Sequence, residues 1–242
     1  MKYVDIERRK VYLGAGGAGA PVVYVVDMAE CPFDIDEPAR GRTCTIVKVC
    51  VHDWDDSLTP WPAPGLYRGD PDFKGEAAVT LAELVDEAIP AIEQAEGLVP
   101  VKRAICGYSL GGLFSLYAFS YADAFSACAC LSGSVWYEGW VEHLRGLEFD
   151  GSGRFAFLSI GLKEKHAAPK ILHSVQDNME QCAAILREHG CEAEFVVGPG
   201  NHMSFGKERF DAGLTAIDSY FASAQQGVGS EKTRRGAKPE QA

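Results

Sequence analysis

No apolar run in this 242-residue chain approaches the roughly eighteen residues that a membrane span requires. The opening stretch, Met1 to Lys10, is charged and alternating and lacks the apolar centre of a secretory leader. Among the eight cysteines there is no CxxC pair, and Cys128 and Cys130 stand two apart inside an apolar run, so no zinc site is expected. Together these absences predict a cytoplasmic protein whose thiols stay reduced and pack as small hydrophobic groups. Positive charge is also scarce. Lys and Arg number 23 against 34 Asp and Glu, giving a net charge of -11 at pH 7. Binding to phosphate backbones or anionic lipid depends on Lys and Arg displacing counterions, so neither nucleic acid nor a membrane is an expected partner.

No internal repeat is present. The glycine cluster Gly14 to Gly19 lacks the Lys-Ser/Thr ending of a phosphate loop, and it precedes a strand-like run instead of following one and opening a helix, so it reads as a turn. What the chain does have is an ordinary soluble composition, 47% hydrophobic and 24% charged, at a length suited to one domain. A single domain is expected over residues 1–224. Residues 225–242 are polar and Gly-rich without apolar spacing, and they read as a disordered tail.

Tyr3, Val4 and Ile6 lead through Arg8 to Lys10 into Val11, Tyr12 and Leu13, which suggests an antiparallel N-terminal hairpin. Continuous β-branched runs follow at Val22 to Met28, Ile46 to Val51, Val101 to Cys106, Phe125 to Leu131, Phe155 to Ile160 and Ala193 to Val197. Such runs suit parallel strands covered on both faces. Helical patterns alternate with them at Ala77 to Ala95, Leu110 to Tyr121, Lys170 to Glu188 and Glu208 to Phe221. The economical fold is α/β: a mostly parallel central sheet with helices on both faces, built from right-handed βαβ units. Asp53 to Gly75, rich in proline and carrying Trp54 and Trp61, reads as an extended loop over the sheet's edge.

Gly107-Tyr108-Ser109-Leu110-Gly111 matches GxSxG between a strand-like run and a helical one. In a nucleophile elbow the glycines let backbone segments approach while the serine hydroxyl projects above the sheet. Ser109 is thus the expected nucleophile, and the Leu110 amide, at the helix N-terminus, faces a developing oxyanion. A second oxyanion donor is expected from the Met28 or Ala29 amide, after the early strand. A serine hydroxyl needs a base at neutral pH. His202, in Gly198-Pro199-Gly200-Asn201-His202 after the last strand-like run, fits that role better than His52, which precedes the serine. Glu164 follows the strand that ends at Gly161 and lies between serine and histidine in the chain, as the orienting acid should. Asp150 and Asp177 are the worse-placed alternatives. Trp54, Trp61, Trp136 and Tyr137 are candidate substrate-binding residues or else core. Asp53, Asp55 and Asp56 either disfavour anionic substrates or stand as solvated loop charges.

With these residues in place, the chain resembles the Putative esterase group of α/β-hydrolases, which contains esterase D, S-formylglutathione hydrolases and trilactone siderophore esterases. The resemblance runs from Val22 to Phe221. It is carried by Val23 to Asp27, Gly107 to Gly112, Ser132-Gly133-Ser134-Val135-Trp136-Tyr137, Gly161 to Glu164 and Gly198 to His202. It implies hydrolysis of a small-molecule carboxylic ester or thioester by Ser109, Glu164 and His202 without metal or cofactor, and oxyanion donors at Met28 and Leu110. The chain departs from many relatives at Leu162, where they have aspartate, and at Met28, where they have glycine. An acyltransferase with the same triad and a non-catalytic binding protein on the same fold are the alternatives.

Overall fold

A computed structural model describes residues 2–28, 30 and 33–235. Seven strands form one sheet: β1 (Val4–Tyr12), β2 (Val22–Asp27), β3 (Thr45–Val51), β4 (Arg103–Tyr108), β5 (Ala127–Leu131), β6 (Phe155–Gly161) and β7 (Glu192–Gly198). Their order across the sheet is β1-β3-β2-β4-β5-β6-β7. The pairs from β3 to β7 are all parallel, and β1 alone runs antiparallel, against β3. The expected N-terminal hairpin is corrected here. Arg8 to Lys10 do not turn; they lie within one strand whose register with β3 shifts between Asp5 and Lys10. Of the charged residues that resembled a turn, Arg8 and Lys10 are exposed on an edge strand, where charge discourages pairing with other chains, and Arg9 is half-buried against Glu96.

Continuous apolar runs arise because both faces of the inner strands are covered. On β2, Val22, Tyr24 and Val26 join one buried cluster while Val23 and Val25 join the other. On β6, Ala156, Leu158 and Ile160 face the first cluster, and Phe155 and Phe157 the second. Two short helices, α1 (Asp36–Ala39) and α2 (Trp54–Ser57), interrupt the early loops. The helical stretch 77–96 comprises α3 (Ala77–Ala82), a wider π turn (Glu83–Ala88) and α4 (Ile89–Glu96). The widening accommodates Pro90, which has no amide to donate back into the helix and whose ring crowds the preceding turn.

Helix α5 (Leu110–Tyr121) leaves β4 and is buried at every position except its last. A helix apolar all round belongs in a core. Further on come α6 (Trp140–Gly146), α7 (Val175–Glu188), preceded by a single tight turn at Lys170–Ser174, and α8 (Gly206–Arg235). The last helix extends well past Phe221, where apolar periodicity ends; the rest of the expected tail, residues 236–242, lies outside the described residues. Strand β7 is the open edge of the sheet, with Val196 and Val197 exposed. The segment Asp53 to Gly75 does not lie over the sheet's edge as expected. It covers the carboxyl ends of the strands, pinned by α2 and by an antiparallel bridge between Ala63 and Phe73.

The C-terminal end of α5 is tied to the sheet by Arg154, which is 9% exposed. Its guanidinium donates to the carbonyls of Phe119, Ala122 and Phe125 and stacks 4.0 Å from the Phe119 ring centroid. Replacing Arg154 with Met leaves those acceptors without a donor. The expected cost is about 3 kcal/mol, seen as a lower urea midpoint at unchanged slope.

Candidate active site

The elbow is built from close backbone contacts. A Cβ on Gly107 would sit 2.2 Å from the Gly111 carbonyl oxygen, and one on Gly111 would sit 3.0 Å from the Trp54 ring and 3.1 Å from the Val26 carbonyl. Only hydrogen fits at Gly107, and at Gly111 a side chain would have to push its neighbours aside. Between them Ser109 takes φ 58° and ψ -123°, a conformation that side-chain-bearing residues rarely adopt. Hydrogen bonds over-determine it: its amide donates to the Leu131 carbonyl at 3.0 Å, and its carbonyl accepts from Gly112, Leu113 and Ser134 at 3.0–3.1 Å. Strain held in this way is a mark of functional positions.

His202 reaches the serine from the loop between β7 and α8. Its Nε2 lies 3.0 Å from Ser109 Oγ, and its Nδ1 lies 2.8 Å from Glu164 Oε2. With the proton on Nδ1, the ring donates to Glu164 and accepts from the serine hydroxyl. Glu164, 5% exposed, sits just past β6, and its Oε1 accepts from the Ser132 hydroxyl and the Gly161 amide, both at 2.7 Å. Burial pushes this carboxyl up. The hydrogen bond and charge of His202, with the Ser132 and Gly161 donors, outweigh burial and hold it below the usual carboxylate value.

Two residues at the site were given no role in the sequence reading. Ser132, at φ 44°, is bent so that its hydroxyl meets Glu164. Arg209 is 5% exposed at the start of α8. It donates to the carbonyls of Pro199, Asn201 and Ser204 and to the Tyr108 hydroxyl, which in turn donates to the His202 carbonyl at 2.7 Å. Its guanidinium also lies 3.8 Å from Glu164 Oε1. One buried cation therefore fixes both the histidine loop and the acid's surroundings. The signal available in sequence was an arginine beside Phe210, at a position the helix buries.

A cavity of about 430 Å³ adjoins the serine. The loop after α2 supplies Leu66, Tyr67 and Phe73 to its wall, and α2 supplies Trp54 and Asp55. Trp136, packed against Phe73, and Val175 line it as well. Wider hollows beside β1 and between β7 and α8 hold no nucleophile next to a base. Trp54 and Trp136 line the cavity beside Ser109. Trp61 and Tyr137, for which the sequence left pocket and core both open, are not in its lining: Tyr137 is 2% exposed and donates to the Trp61 carbonyl, while Trp61 packs edge-on to Tyr137 and donates its indole N–H to the Glu138 carbonyl. They support the wall from behind, because their polar tips find backbone partners there. Of the two expected oxyanion donors, Leu110 opens α5, where no carbonyl within the helix can take its amide. The Met28 amide instead donates to Asp27 Oδ1 at 2.8 Å. Ala29 lies outside the described residues. His52 is paired with Asp5 in the β1 hollow, away from Ser109. Among the described residues no cluster of His, Cys, Asp and Glu is arranged to hold a metal ion.

Replacing Arg209 with Met is expected to lower stability by about 3 kcal/mol, since it strands buried carbonyls and removes a cation beside buried Glu164; chemical denaturation measures this. A group whose folded pKa is depressed contributes stability that is complete above its unfolded pKa and lost as pH falls through the folded one. The stability difference between the native protein and a Glu164→Gln variant should therefore shift against the native protein below about pH 4.3, the ordinary glutamate value. Thermal melts at stepped pH check the sign.

Residues 9–204 match the family described as Putative esterase. A Bacillus subtilis (strain 168) protein called Uncharacterized protein YbbA is 34% identical over 184 residues, 71% of this chain and 73% of that one. Among solved structures, an IroE-like serine hydrolase from Shewanella oneidensis superposes with a TM-score of 0.67 at 18% identity, covering 87% of this chain and 75% of that one. The siderophore hydrolase EstB from Aspergillus nidulans gives 0.64 at 17% identity, covering 82% of each chain. The enterobactin hydrolase IroE, in complex with DFP, gives 0.63 at 20% identity, covering 87% of this chain and 89% of that one. At these identities the solved structures speak for the fold, and the matched residues settle the lineage: the chain belongs to the Putative esterase family, enzymes that cleave ester bonds, on an α/β-hydrolase fold.

Proposed function

We propose that the chain hydrolyses a carboxylic ester or thioester through an acyl-enzyme on Ser109, with His202 as base and Glu164 as its orienting acid. The observation that carries this reading is the relay itself, 3.0 Å from serine to histidine and 2.8 Å from histidine to glutamate. His202 Nε2 takes the hydroxyl proton as Ser109 Oγ bonds to the substrate's carbonyl carbon. Negative charge then builds on the carbonyl oxygen, where the Leu110 amide and the N-terminal dipole of α5 supply stabilisation. The Met28 amide joins it only by leaving Asp27 Oδ1. Collapse breaks the bond to the alcohol or thiol, which leaves with the proton from His202. Water then gives its proton to His202 and attacks the acyl carbon; the acid departs, and the proton returns to Ser109.

Glu164 keeps the imidazole in the right tautomer and offsets its positive charge during each transfer, which its depressed pKa favours. No step requires a metal or cofactor. The seven described cysteines are free and buried, which supports a reducing, cytoplasmic setting. A fluorophosphonate probe should label Ser109, and Ser109→Ala should abolish both labelling and turnover of short-chain p-nitrophenyl esters. Turnover at native rate in that variant would defeat the proposal.

A further inference from the structure

We infer that the cavity beside Ser109 selects esters bearing a positively charged ammonium group, with the Asp55 carboxylate as the specificity-determining residue. The inference rests on the esterase reading and names a substrate class for it.

Asp55 is held at the cavity wall by a short helix with little freedom. On one side of it Trp54 leans on the elbow at Gly111. Behind it, the Asp55 carbonyl accepts from the Thr59 hydroxyl at 2.8 Å, and the Asp56 carbonyl accepts from the Glu76 amide at 2.9 Å. The neighbouring carboxylates have partners: Asp56 is paired with Lys74, and Asp70 accepts from the Tyr67 amide at 3.0 Å. Glu164, the remaining acid of the lining, is engaged by His202 and Arg209. Asp55 is different. Among the described residues its carboxylate makes no hydrogen bond or ion pair, and no lysine or arginine lines the cavity. Burial, and then the charges of Asp56 and Asp70, push its carboxyl up, as expected of an acid that lacks a counter-charge.

The remaining walls favour the same ligand. Trp54, Tyr67, Phe73 and Trp136 line the cavity, and aromatic faces attract cations through their quadrupoles. A neutral acyl chain would use the rings but leave the carboxylate uncompensated, and an anionic ester would be repelled by it. An ammonium group satisfies both features at once. Because Asp55 is exposed to solvent at the mouth of the cavity, water and salt screen the attraction. The preference should therefore be about five- to tenfold.

The test compares kcat/KM for choline butyrate with that for its neutral isostere, in which a quaternary carbon replaces nitrogen. A second pair places the same groups on the acyl side of a p-nitrophenyl ester, which tells whether alcohol or acyl portion lies against α2. The expected result is a preference for the cation in at least one pair, weakened by added salt, lost in Asp55→Asn and retained in Asp55→Glu. An unchanged far-UV circular dichroism spectrum and melting temperature show that each variant is folded. A ratio at or below one in the native protein, or one unchanged in Asp55→Asn, overturns the inference while the esterase reading stands. Should Asp55→Asn fail to fold, salt-insensitivity of the native ratio has the same force. Failure to hydrolyse any of the four esters, with no probe labelling, removes the esterase reading and this inference with it.

Discussion

Everything at the site depends on the backbone of Ser109 being held in a conformation that an isolated serine avoids. The cost of that φ is of order 1–3 kcal/mol. It is offset by three amides that converge on the Ser109 carbonyl and by the Leu131 carbonyl that receives its amide. Those partners come from α5, from the end of β5 and from the turn after it. The position of Ser109 is therefore a property of the parallel sheet and not of the elbow alone. The glycines are the permissive half of the arrangement: Gly107 and Gly111 pass each other at a separation no side chain allows.

A second constraint is electrostatic. A buried carboxylate is expensive unless its charge is met by donors, and Glu164 is met by His202, Ser132, the Gly161 amide and, at longer range, Arg209. Arg209 is itself buried and discharges most of its donors onto carbonyls of the histidine loop. Glu164 and His202 are thus positioned by one network, and the Tyr108 hydroxyl links it to the residue beside Ser109. Packing adds a further restraint, with the Tyr108 ring 5.3 Å from the imidazole and 4.8 Å from Phe33.

The loop from Asp53 to Gly75 gives the cavity its individual character. The sheet brings Ser109, Glu164 and His202 together, whereas Trp54, Asp55, Tyr67 and Phe73 all arrive on this one segment. It is anchored by α2, the Ala63–Phe73 bridge and the Tyr137 hydroxyl on the Trp61 carbonyl. Trp61 and Tyr137 act there as the frame of the pocket, and Trp54 and Trp136 as its surface.

The amino-acid sequence by itself determined the strand and helix alternation and picked out Ser109, Glu164 and His202, which the fold brings within hydrogen-bonding distance of one another. Each is carried by local signals: continuous β-branched runs, glycines at fixed offsets, and a short loop after a strand. Tertiary structure alone decided the rest. Tyr3 to Leu13 looks like a hairpin because the charges at Arg8 to Lys10 resemble a turn, and only the availability of β3 as a partner makes them a strand. Whether an aromatic faces the cavity or its frame depends on where its polar tip finds a partner, which spacing along the chain does not encode. The same holds for Arg209, whose burial is stabilised by carbonyls on another loop, and for Ser132, whose role exists only once β5 and β6 lie side by side. Pattern along a chain records which surfaces must be buried; which polar groups then meet is fixed when distant segments pack.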